Sequence, residues 1–257
     1  GVHRGRPAFY GGAVMDRWLN KILMGSSLEV LLELPDSSIH CCVTSPPYWG
    51  LRDYGVEGQL GLEKTPEEYV QKMVDLFREV RRVLKNDGTL WLNLGDSYAS
   101  TTASGGQNCF SSSTLTGGKG MRDPKRTLTN GLKPKDLVGI PWRVAFALQS
   151  DGWYLRSDII WNKPNTMPES VTDRPTKAHE YIFLMSKSER YYYDACAIKE
   201  PAHSCGPRGG SLQNDTGREE AVGRTRWKGE RANDWGENGR NKRSVWTVAT
   251  QPFKEAH

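Results

Sequence analysis

Apolar residues recur at helical spacing in two segments before residue 90. Leu28, Leu31 and Leu32 lie about one turn apart within residues 26–34, and Pro35 follows, so we expect a short helix there. A second, longer helix is predicted to begin at Thr65, because Thr caps helices and the proline after it fits a first turn. We expect this helix to end at residues 86–88. Its apolar face would consist of Val70, Met73, Val74, Phe77, Val80 and Leu84.

Shorter apolar runs on either side of the long helix predict β-strands. Residues 39–44 and 89–95 are rich in apolar and β-branched side chains, so we expect two buried strands. A strand–helix–strand order is typical of an α/β fold with an at least partly parallel sheet. Further along, the sequence predicts a helix over 141–150, a strand over 153–161, two paired strands over 179–194 and a last strand over 244–249.

The remaining stretches are polar, and the composition excludes several classes of protein. Residues 99–135 are rich in Ser, Thr and Gly, residues 201–243 are rich in Gly and Arg, and both are predicted to be long loops. The formal net charge of +5 over 257 residues permits a nucleic-acid partner without requiring one. No apolar run approaches the ~18 residues of a membrane span. The five cysteines form no CxxC pair, so we expect no metal site, no disulfide framework and a reducing cytoplasm.

The segment that carries chemistry is Ser45-Pro46-Pro47-Tyr48-Trp49, directly after the first predicted strand. Two prolines fix two φ angles and remove two amide donors, so they make a rigid exit at the carboxyl edge of the sheet, where ligands bind in open α/β folds. The Ser45 hydroxyl and the Pro46 carbonyl are acceptors, and the two aromatic rings offer flat faces. A planar ring with an amino group is the complementary ligand. A stiffened surface turn with its aromatic rings in the core would use the same residues, and the residues alone leave both interpretations open.

Around this tetrad the sequence resembles the amino-group DNA methyltransferases that carry Ser-Pro-Pro-Tyr and place their catalytic half first. The motif "VTSPPYWGLRDYG" carries the resemblance, and the matching blocks occupy residues 26–55, 67–98, 132–165 and 173–194 in the family's order. The resemblance implies a Rossmann-like, S-adenosylmethionine-dependent fold of three layers, α/β/α, with a largely parallel sheet. It also implies methyl transfer from S-adenosylmethionine to the exocyclic amino group of a base flipped out of double-stranded DNA.

The resemblance leaves the target base and the enzyme's completeness open. Ser-Pro-Pro-Tyr most often accompanies methylation of cytosine N4 in this family, so we expect that product, and adenine N6 is the alternative. A third interpretation is a non-catalytic nucleic-acid-binding fragment, or a subunit that needs a second chain. Such enzymes belong to restriction–modification systems or phages, hence the expected prokaryotic or phage-encoded, cytoplasmic protein.

The resemblance also assigns roles to residues. The catalytic residues would be Ser45, Pro46, Pro47 and Tyr48, and the base pocket would be bordered by Trp49, His179 and Glu180. Asn93 and Asp96 would line the cofactor side of the cleft, with helix capping as the structural alternative for Asp96. Contacts with DNA are expected from Arg52, Lys163, Arg224, Arg226 and Lys228. For Arg52, the alternative is an ion pair with Asp53.

Two departures from the family predict an incomplete cofactor half. The family's Gly-Asp before the first helix is Gly25-Ser26 here, and no Phe-x-Gly-x-Gly loop follows any predicted strand. We therefore expect a catalytic portion at 1–200 with an insertion at 99–135, a polar segment at 201–243 for target recognition, and the start of a cofactor half at 244–257. The expected partners, besides DNA, are a second copy of the chain or a complementary C-terminal half, because an incomplete sheet exposes apolar surface.

Overall fold

A computed structural model describes residues 18–99, 131–201 and 239–251. In chain order, the helices and strands of this described part are α1 (Ser27–Glu33), β1 (Ile39–Thr44), α2 (Pro66–Val83), β2 (Leu84–Leu94), α3 (Ile140–Ser150), β3 (Tyr154–Asn162), β4 (His179–Ser186) and β5 (Val245–Thr247). None of the described helices is both long and apolar enough to cross a membrane.

The chain divides into two compact units. The first comprises residues 1–192 and 244–257 and contains every helix and strand named above. The second comprises residues 193–243. In its described part, the Glu200 carboxylate binds Arg240, Lys242 and Arg243.

The five strands form one mixed sheet in the order β1-β2-β4-β3-β5. β1 pairs with β2 in parallel and β3 with β5 in parallel, whereas β4 is antiparallel to both β2 and β3. The predicted α/β class is confirmed, but the expectation of a largely parallel sheet is wrong. Residues 163–178, which connect β3 to β4, contain no helix, and a connection without a crossover helix favours an antiparallel return.

Helices cover one face of this sheet. Leu90, Leu92 and Leu94 of β2 are fully buried against them, as are Phe183 and Met185 of β4. The intervening residues of β2 and β4 point to the opposite face, because successive strand side chains alternate. We call this opposite side the second face; it carries Cys41, Val43, Trp91, Trp161, Ile182 and Trp246. Within the described residues no helix lies on it, so only two of the three predicted layers are seen.

The long helix α2 forms as its sequence predicts. Thr65 caps it by accepting a hydrogen bond from the Glu68 amide at 3.2 Å. Glu68 in turn accepts from the Lys64 amide at 3.1 Å, one residue before the cap. Met73 and Phe77 on the apolar face are almost completely buried, and Val70 is half-buried. The face therefore anchors the sheet as the spacing of apolar residues predicts.

Two predicted boundaries are wrong. The helix ends at Val83 rather than at 86–88, because Leu84 is already extended and pairs with Ile39 of β1. The register of β1 against β2 shifts between Ile39 and Cys41, where β2 carries extra residues as a bulge. The second discrepancy is the hairpin expected over 179–194: a single strand, β4, ends at Ser186. Both edges of β4 are already paired, with β2 and with β3, so β4 has no free edge on which a hairpin partner could pair.

Candidate active site

The predicted site residues meet at one edge of the sheet. Ser45 follows β1, Asn93 lies next to the end of β2, and Lys163 follows β3. Because β4 is antiparallel, its first residues, including Glu180, lie at this same edge. This is the carboxyl edge of the parallel strands, where ligands bind in open α/β sheets.

Two acceptors follow β1. Ser45 is exposed, and its hydroxyl donates towards Tyr48 Oη at 3.1 Å or Asn93 Oδ1 at 3.3 Å. Pro46 is buried, and its carbonyl accepts no hydrogen bond from any described residue. The Ser45 hydroxyl, having donated inward, still has lone pairs for an external donor. The pair can therefore accept two hydrogens from one ligand.

The phenol of Tyr48 connects Ser45 to a carboxylate. Tyr48 Oη contacts Asn93 Oδ1 in a short hydrogen bond and lies 3.0 Å from Glu180 Oε2. Glu180 is also ion-paired with Lys163, and both side chains are mostly buried. Asn93 Nδ2 donates to the Tyr181 carbonyl at 3.3 Å, which fixes the orientation of the amide.

Burial, and then the negative charge of Glu180, raise the pKa of Tyr48 far above its usual value. The phenol therefore stays protonated and donates to one of its two acceptors. The phenol proton is therefore donated to Asn93 Oδ1, the nearer acceptor, or to Glu180 Oε2, and it leaves Tyr48 Oη able to accept from Ser45.

Residues outside the tetrad hold it in place. The Pro47 carbonyl accepts from the Tyr69 hydroxyl at 2.9 Å, and Trp49 Nε1 donates to the Glu63 carbonyl at 3.0 Å. Trp49 is only 2% exposed and belongs to the core. The structural alternative, with the aromatic ring in the core, therefore describes the position of Trp49, and its role beside a base pocket stays a prediction.

The sequence analysis missed two supporting residues. A Cβ at Gly95 would lie 2.5 Å from Tyr48 Cε2, so only glycine leaves room for the ring. A lone glycine at a strand end, as in Asn93-Leu94-Gly95, is a known signal for such a close approach. Tyr69 lies among the apolar positions of α2, so its ring is expected to be buried. A buried tyrosine hydroxyl requires a hydrogen-bond partner, and this requirement could have indicated a contact such as the one with the Pro47 carbonyl.

Both residues predicted to hold the cofactor have internal partners. Asp96 Oδ1 accepts from the amides of Ser97, Gly139 and Ile140 at 2.9–3.0 Å and so caps the start of α3. Asn93 holds Tyr48, as described above. The capping alternative for Asp96 therefore describes its position in the fold, and its role towards a cofactor stays a prediction.

The remaining predicted residues differ in how accessible they are. His179 is half-buried, packs edge-on against Tyr181, and has a lowered pKa because of burial and the nearby charge of Lys177. Arg52 is exposed and forms no ion pair with Asp53 in the described part of the chain. Lys163 forms an ion pair with Glu180. Arg224, Arg226 and Lys228 lie outside the described residues. No cluster of metal-ligating side chains occurs among the residues that the structure describes.

Comparison with known proteins decides the family. The profile of the DNA methylase family, which covers N6 and N4 methyltransferases, matches residues 39–255. The chain belongs to the DNA methylase family. The matched range of this DNA methylase includes the Ser45–Tyr48 tetrad and every strand of the sheet, so the family inferred from the Ser-Pro-Pro-Tyr blocks is confirmed.

Relatives of this DNA methylase are similar along most of the chain. Type II methyltransferase M.XycI of Xanthomonas campestris pv. cyanopsidis is 49% identical over 91% of the chain and 65% of its own length. Type II methyltransferase M.SmaI of Serratia marcescens is 48% identical over 92% of the chain and 69% of its own length. The chain thus spans about two-thirds of the length of these relatives.

Solved structures of similar proteins match less of the chain. PvuII DNA methyltransferase (cytosine-N4-specific) is 21% identical, with a TM-score of 0.44 over 67% of this chain and 50% of its own. TTHA0409 of Thermus thermophilus, a putative DNA modification methylase complexed with S-adenosyl-L-methionine, is 22% identical, with a TM-score of 0.42 over 66% and 54% of the two chains.

Proposed function

We propose that this chain is the catalytic portion of an S-adenosylmethionine-dependent DNA methyltransferase that methylates an exocyclic amino group. The target that we propose is cytosine N4. The observation that carries the proposal is the pair of adjacent acceptors, the exposed Ser45 hydroxyl and the Pro46 carbonyl without a partner among the described residues, in a member of the DNA methylase family. A primary aromatic amine has two hydrogens for two such acceptors.

The acceptors would prepare the amine for attack. Its lone pair is delocalised into the ring, and hydrogen bonds to Ser45 and Pro46 favour a pyramidal nitrogen with a freer lone pair. The bonds from Ser45 to Tyr48 and on to Glu180 keep the Ser45 lone pairs turned outward. Most of the rate would then come from positioning and preorganised acceptors rather than from a strong base.

S-adenosylmethionine would supply the methyl group. Asn93 and Asp96, the two residues predicted to bind it, already form hydrogen bonds with groups of the protein itself. We therefore assign no contact to the cofactor, and we expect this chain alone to bind it weakly. Calorimetric titration tests this, and tight binding by the isolated chain would contradict it.

Double-stranded DNA is the proposed substrate, with the target base rotated out of the helix. Unstacking a base costs a few kcal/mol, and stacking against Tyr48 would offset part of that cost. Exposed Arg52 lies on the segment that follows the tetrad and is the described residue best placed to contact phosphates. The similarity to Type II methyltransferases favours a role in restriction–modification in a prokaryote or phage.

A second candidate function is a subunit that becomes active only with another chain. The internal use of Asn93 and Asp96 favours it. Adenine N6 is the alternative target within the first proposal, since the family includes both kinds of enzyme.

The experiment is a methylation assay followed by nucleoside analysis. The chain is incubated with double-stranded DNA and S-adenosylmethionine, alone and with the part of M.SmaI that lies outside its match to this chain. The DNA is digested and its nucleosides are identified by mass. We expect N4-methylcytosine, and Ser45→Ala should lower the rate by about 10²–10³-fold, the size of effect seen when a preorganised hydrogen-bond partner is removed. N6-methyladenine would support the alternative base, activity only in the mixture would support the subunit, and no methylation in either reaction would reject both.

A further inference from the structure

A loop beside the candidate active site is closed at its base. The Gly50 amide donates to the Gly61 carbonyl at 2.6 Å, and this bond joins the two ends of residues 51–60, which we call the 51–60 loop. A Cβ at Gly61 would lie 2.8 Å from the Tyr48 carbonyl oxygen, so the returning end passes directly against the tetrad. Leu60 packs against the core at the same place. The loop is therefore fixed to the residues that form the candidate site.

Its own side chains hold the loop in one shape. Gln59 Oε1 accepts a hydrogen bond from the Tyr54 amide, and Gln59 Nε2 donates to the Arg52 carbonyl, both at 2.7 Å. The Asp53 carboxylate accepts from the Gly55 amide at 2.7 Å. Backbone groups that would otherwise bind water are thus paired inside the loop. A binding element that is ordered in advance loses less conformational entropy when a ligand arrives.

The ordered loop exposes two large apolar side chains. Tyr54 is 60% exposed and Val56 is 64% exposed. Within the described part of the chain, the Tyr54 side chain forms no hydrogen bond and no ring contact. Arg52, also exposed, adds a positive charge beside them. Single exposed apolar residues are common, but an apolar pair on a pre-ordered loop that touches the tetrad suits a ligand that shields it from water.

Base flipping creates a place for such side chains. The proposed function requires the target base to leave the stack, and its departure leaves a gap between two neighbouring base pairs. Proteins that distort the duplex insert apolar side chains between base steps. Stacking of one base on an aromatic ring raises affinity on the order of tenfold or more. A tyrosine and a valine next to an arginine therefore match a gap that is apolar inside and bordered by phosphates.

We propose that Tyr54 and Val56 enter the base stack where the target base has left it, and that Gln59 positions them for this step. The proposal rests on the proposed function. Tyr54 stacks on the base next to the gap, Val56 fills the remaining space, and Arg52 binds an adjacent phosphate. Tyr54 thus has a different role from Tyr48, whose ring is proposed to stack on the extruded base itself. Contact with another protein chain is the competing use of the same side chains, and it is an outcome of the test.

The test uses a duplex that already contains the gap. Two fluorescently labelled duplexes of the same sequence are prepared, one fully paired and one with a single abasic site at its centre. Fluorescence anisotropy measures the affinity of the chain for each duplex at one salt concentration. We expect the abasic duplex to bind about tenfold more tightly, because insertion no longer requires a base to be unstacked. This preference can be measured before the methylated sequence is known.

Substitutions in the loop assign the preference to its side chains. Tyr54→Ala should reduce the preference to less than about twofold, whereas Tyr54→Phe keeps the ring and should retain it. Gln59→Ala removes both bonds that hold the loop and should give an intermediate preference. Added to Tyr54→Ala, it should have no further effect, because Gln59 acts through Tyr54. Arg52→Gln should weaken binding to both duplexes equally.

Tyr192→Ala is the matched control. Tyr192 is also an exposed tyrosine, at 72%, but it follows the opposite end of β4, where its amide donates to the Asp87 carbonyl at 3.0 Å. Its truncation should leave the preference unchanged. A 2-aminopurine base next to the abasic site reports insertion directly. Its fluorescence should fall when the chain binds, because an aromatic ring stacks on it, and should stay unchanged with Tyr54→Ala.

Three results would overturn the inference: equal affinity of the unsubstituted chain for both duplexes, a preference that survives in Tyr54→Ala, or the same loss in Tyr192→Ala as in Tyr54→Ala. A full preference in Gln59→Ala would overturn the role of Gln59. If both duplexes bind equally and Tyr54→Ala instead weakens association with the part of M.SmaI outside its match, the loop is a protein contact and the inference fails.

Failure of the inference is distinguishable from failure of the proposed function. A preference that depends on Tyr54, without methylation of any duplex in the nucleoside assay, would reject the proposed function and leave insertion in place. Methylation together with a preference that Tyr54→Ala does not change would reject the inference alone.

Discussion

At the scale of single residues, the hydrogen bonds around Tyr48 determine how the Ser45 hydroxyl is oriented towards a ligand. Ser45 donates to Tyr48, and Tyr48 donates onward, with Glu180 at 3.0 Å as the charged acceptor. Lys163 neutralises Glu180 and so makes its burial tolerable. Asn93 and Glu180 together therefore orient Tyr48, and through it the Ser45 hydroxyl.

Glu180→Gln tests this arrangement without changing the size of the side chain. The neutral amide removes the charge that helps to raise the pKa of Tyr48, so the phenol should titrate at lower pH than in the unsubstituted chain, although burial still keeps its pKa above the usual value. Ultraviolet difference titration against Tyr48→Phe isolates this one phenol among ten tyrosines. Glu57→Gln, at an exposed position, is the control. An unchanged Tyr48 titration in Glu180→Gln would contradict the contact.

Gly95→Ala should destabilise the chain by about 1–3 kcal/mol, the usual cost of inserting a methyl group where there is no room. The reason is the 2.5 Å separation that the new Cβ would have from Tyr48 Cε2. Urea unfolding measures the effect, and a double-mutant cycle with Tyr48→Ala identifies its origin. If Gly95→Ala costs as much in the Tyr48→Ala background, the ring is not the cause.

Sequence reasoning succeeded and failed among these residues for physical reasons. The position of Ser45 after a buried strand follows from local apolar composition, which the chain shows directly. The contacts of Tyr48 with Asn93 and Glu180 span 45 and 132 residues, and depend on β4 lying antiparallel between β2 and β3. The burial of Trp49 did not follow from the sequence, because an aromatic residue after a turn is equally compatible with a ligand and with the core.

At the scale of elements, one arginine joins two helices. Arg82 on α2 donates to the carbonyls of Leu31 and Leu34 at 2.6 and 2.9 Å, at the end of α1, and it also binds Glu79 and Asp36. The Leu31 carbonyl also accepts from the Leu34 amide at 3.1 Å, and the forked guanidinium adds a second donor there while it reaches the Leu34 carbonyl. α1, with no buried residue of its own, depends on this contact.

Arg82→Lys should therefore loosen α1 rather than the whole fold. A single ammonium cannot reproduce the fork, and we expect a loss of about 1–2 kcal/mol from the charged hydrogen bonds. Hydrogen exchange should accelerate over residues 27–34 while α2 stays protected. Arg78→Lys, at an arginine that is 55% exposed, serves as the control and should have little effect. Uniform acceleration across both helices would show that Arg82 acts on the fold as a whole.

The two sides of strand β1 differ in burial, and the adjacent residues Cys41 and Cys42 lie on opposite sides. Burial, with a smaller contribution from Cys41, raises the pKa of the Cys42 thiol to about 11. Its thiolate, the reactive form, should therefore be scarce at pH 8 and increase about tenfold per pH unit up to pH 10. Alkylation of Cys41→Ser, followed by peptide mass mapping, measures this slope. Unfolded chain in denaturant is the control and should react several hundredfold faster at pH 8; similar rates in both would contradict the burial.

The boundaries of α2 show which local signals are sufficient to predict where a helix begins or ends. The Thr65 cap and the apolar spacing of α2 predicted the start of that helix correctly. Its end was predicted three to five residues too late, because Leu84 continues the helical spacing but pairs with Ile39, a contact that the local sequence does not reveal. The order of the strands was likewise inaccessible, since pairing partners lie far apart along the chain.

At the scale of the whole molecule, the net charge and the site edge together predict salt-dependent binding to DNA. Each phosphate neutralised by a cation contributes about 0.9 to the slope of log affinity against log salt. Arg52→Gln should weaken binding across all sequences and reduce the slope by about that amount. Arg190→Gln, exposed after the far end of β4, is the control. Fluorescence anisotropy with labelled duplexes gives both slopes, and identical slopes for the two variants would remove Arg52 from the interface.

The segment between Gly50 and Gly61 leaves and re-enters the fold at nearly one point. The Gly50 amide donates to the Gly61 carbonyl at 2.6 Å, directly beside the anchored Trp49. Residues 52–58, which are exposed, can therefore vary in length and composition without displacing the Ser45 hydroxyl, whereas Leu60 packs against the core. Under the proposed function, exchanging this outer stretch would change which duplexes are accepted and leave the adjoining chemistry unaltered.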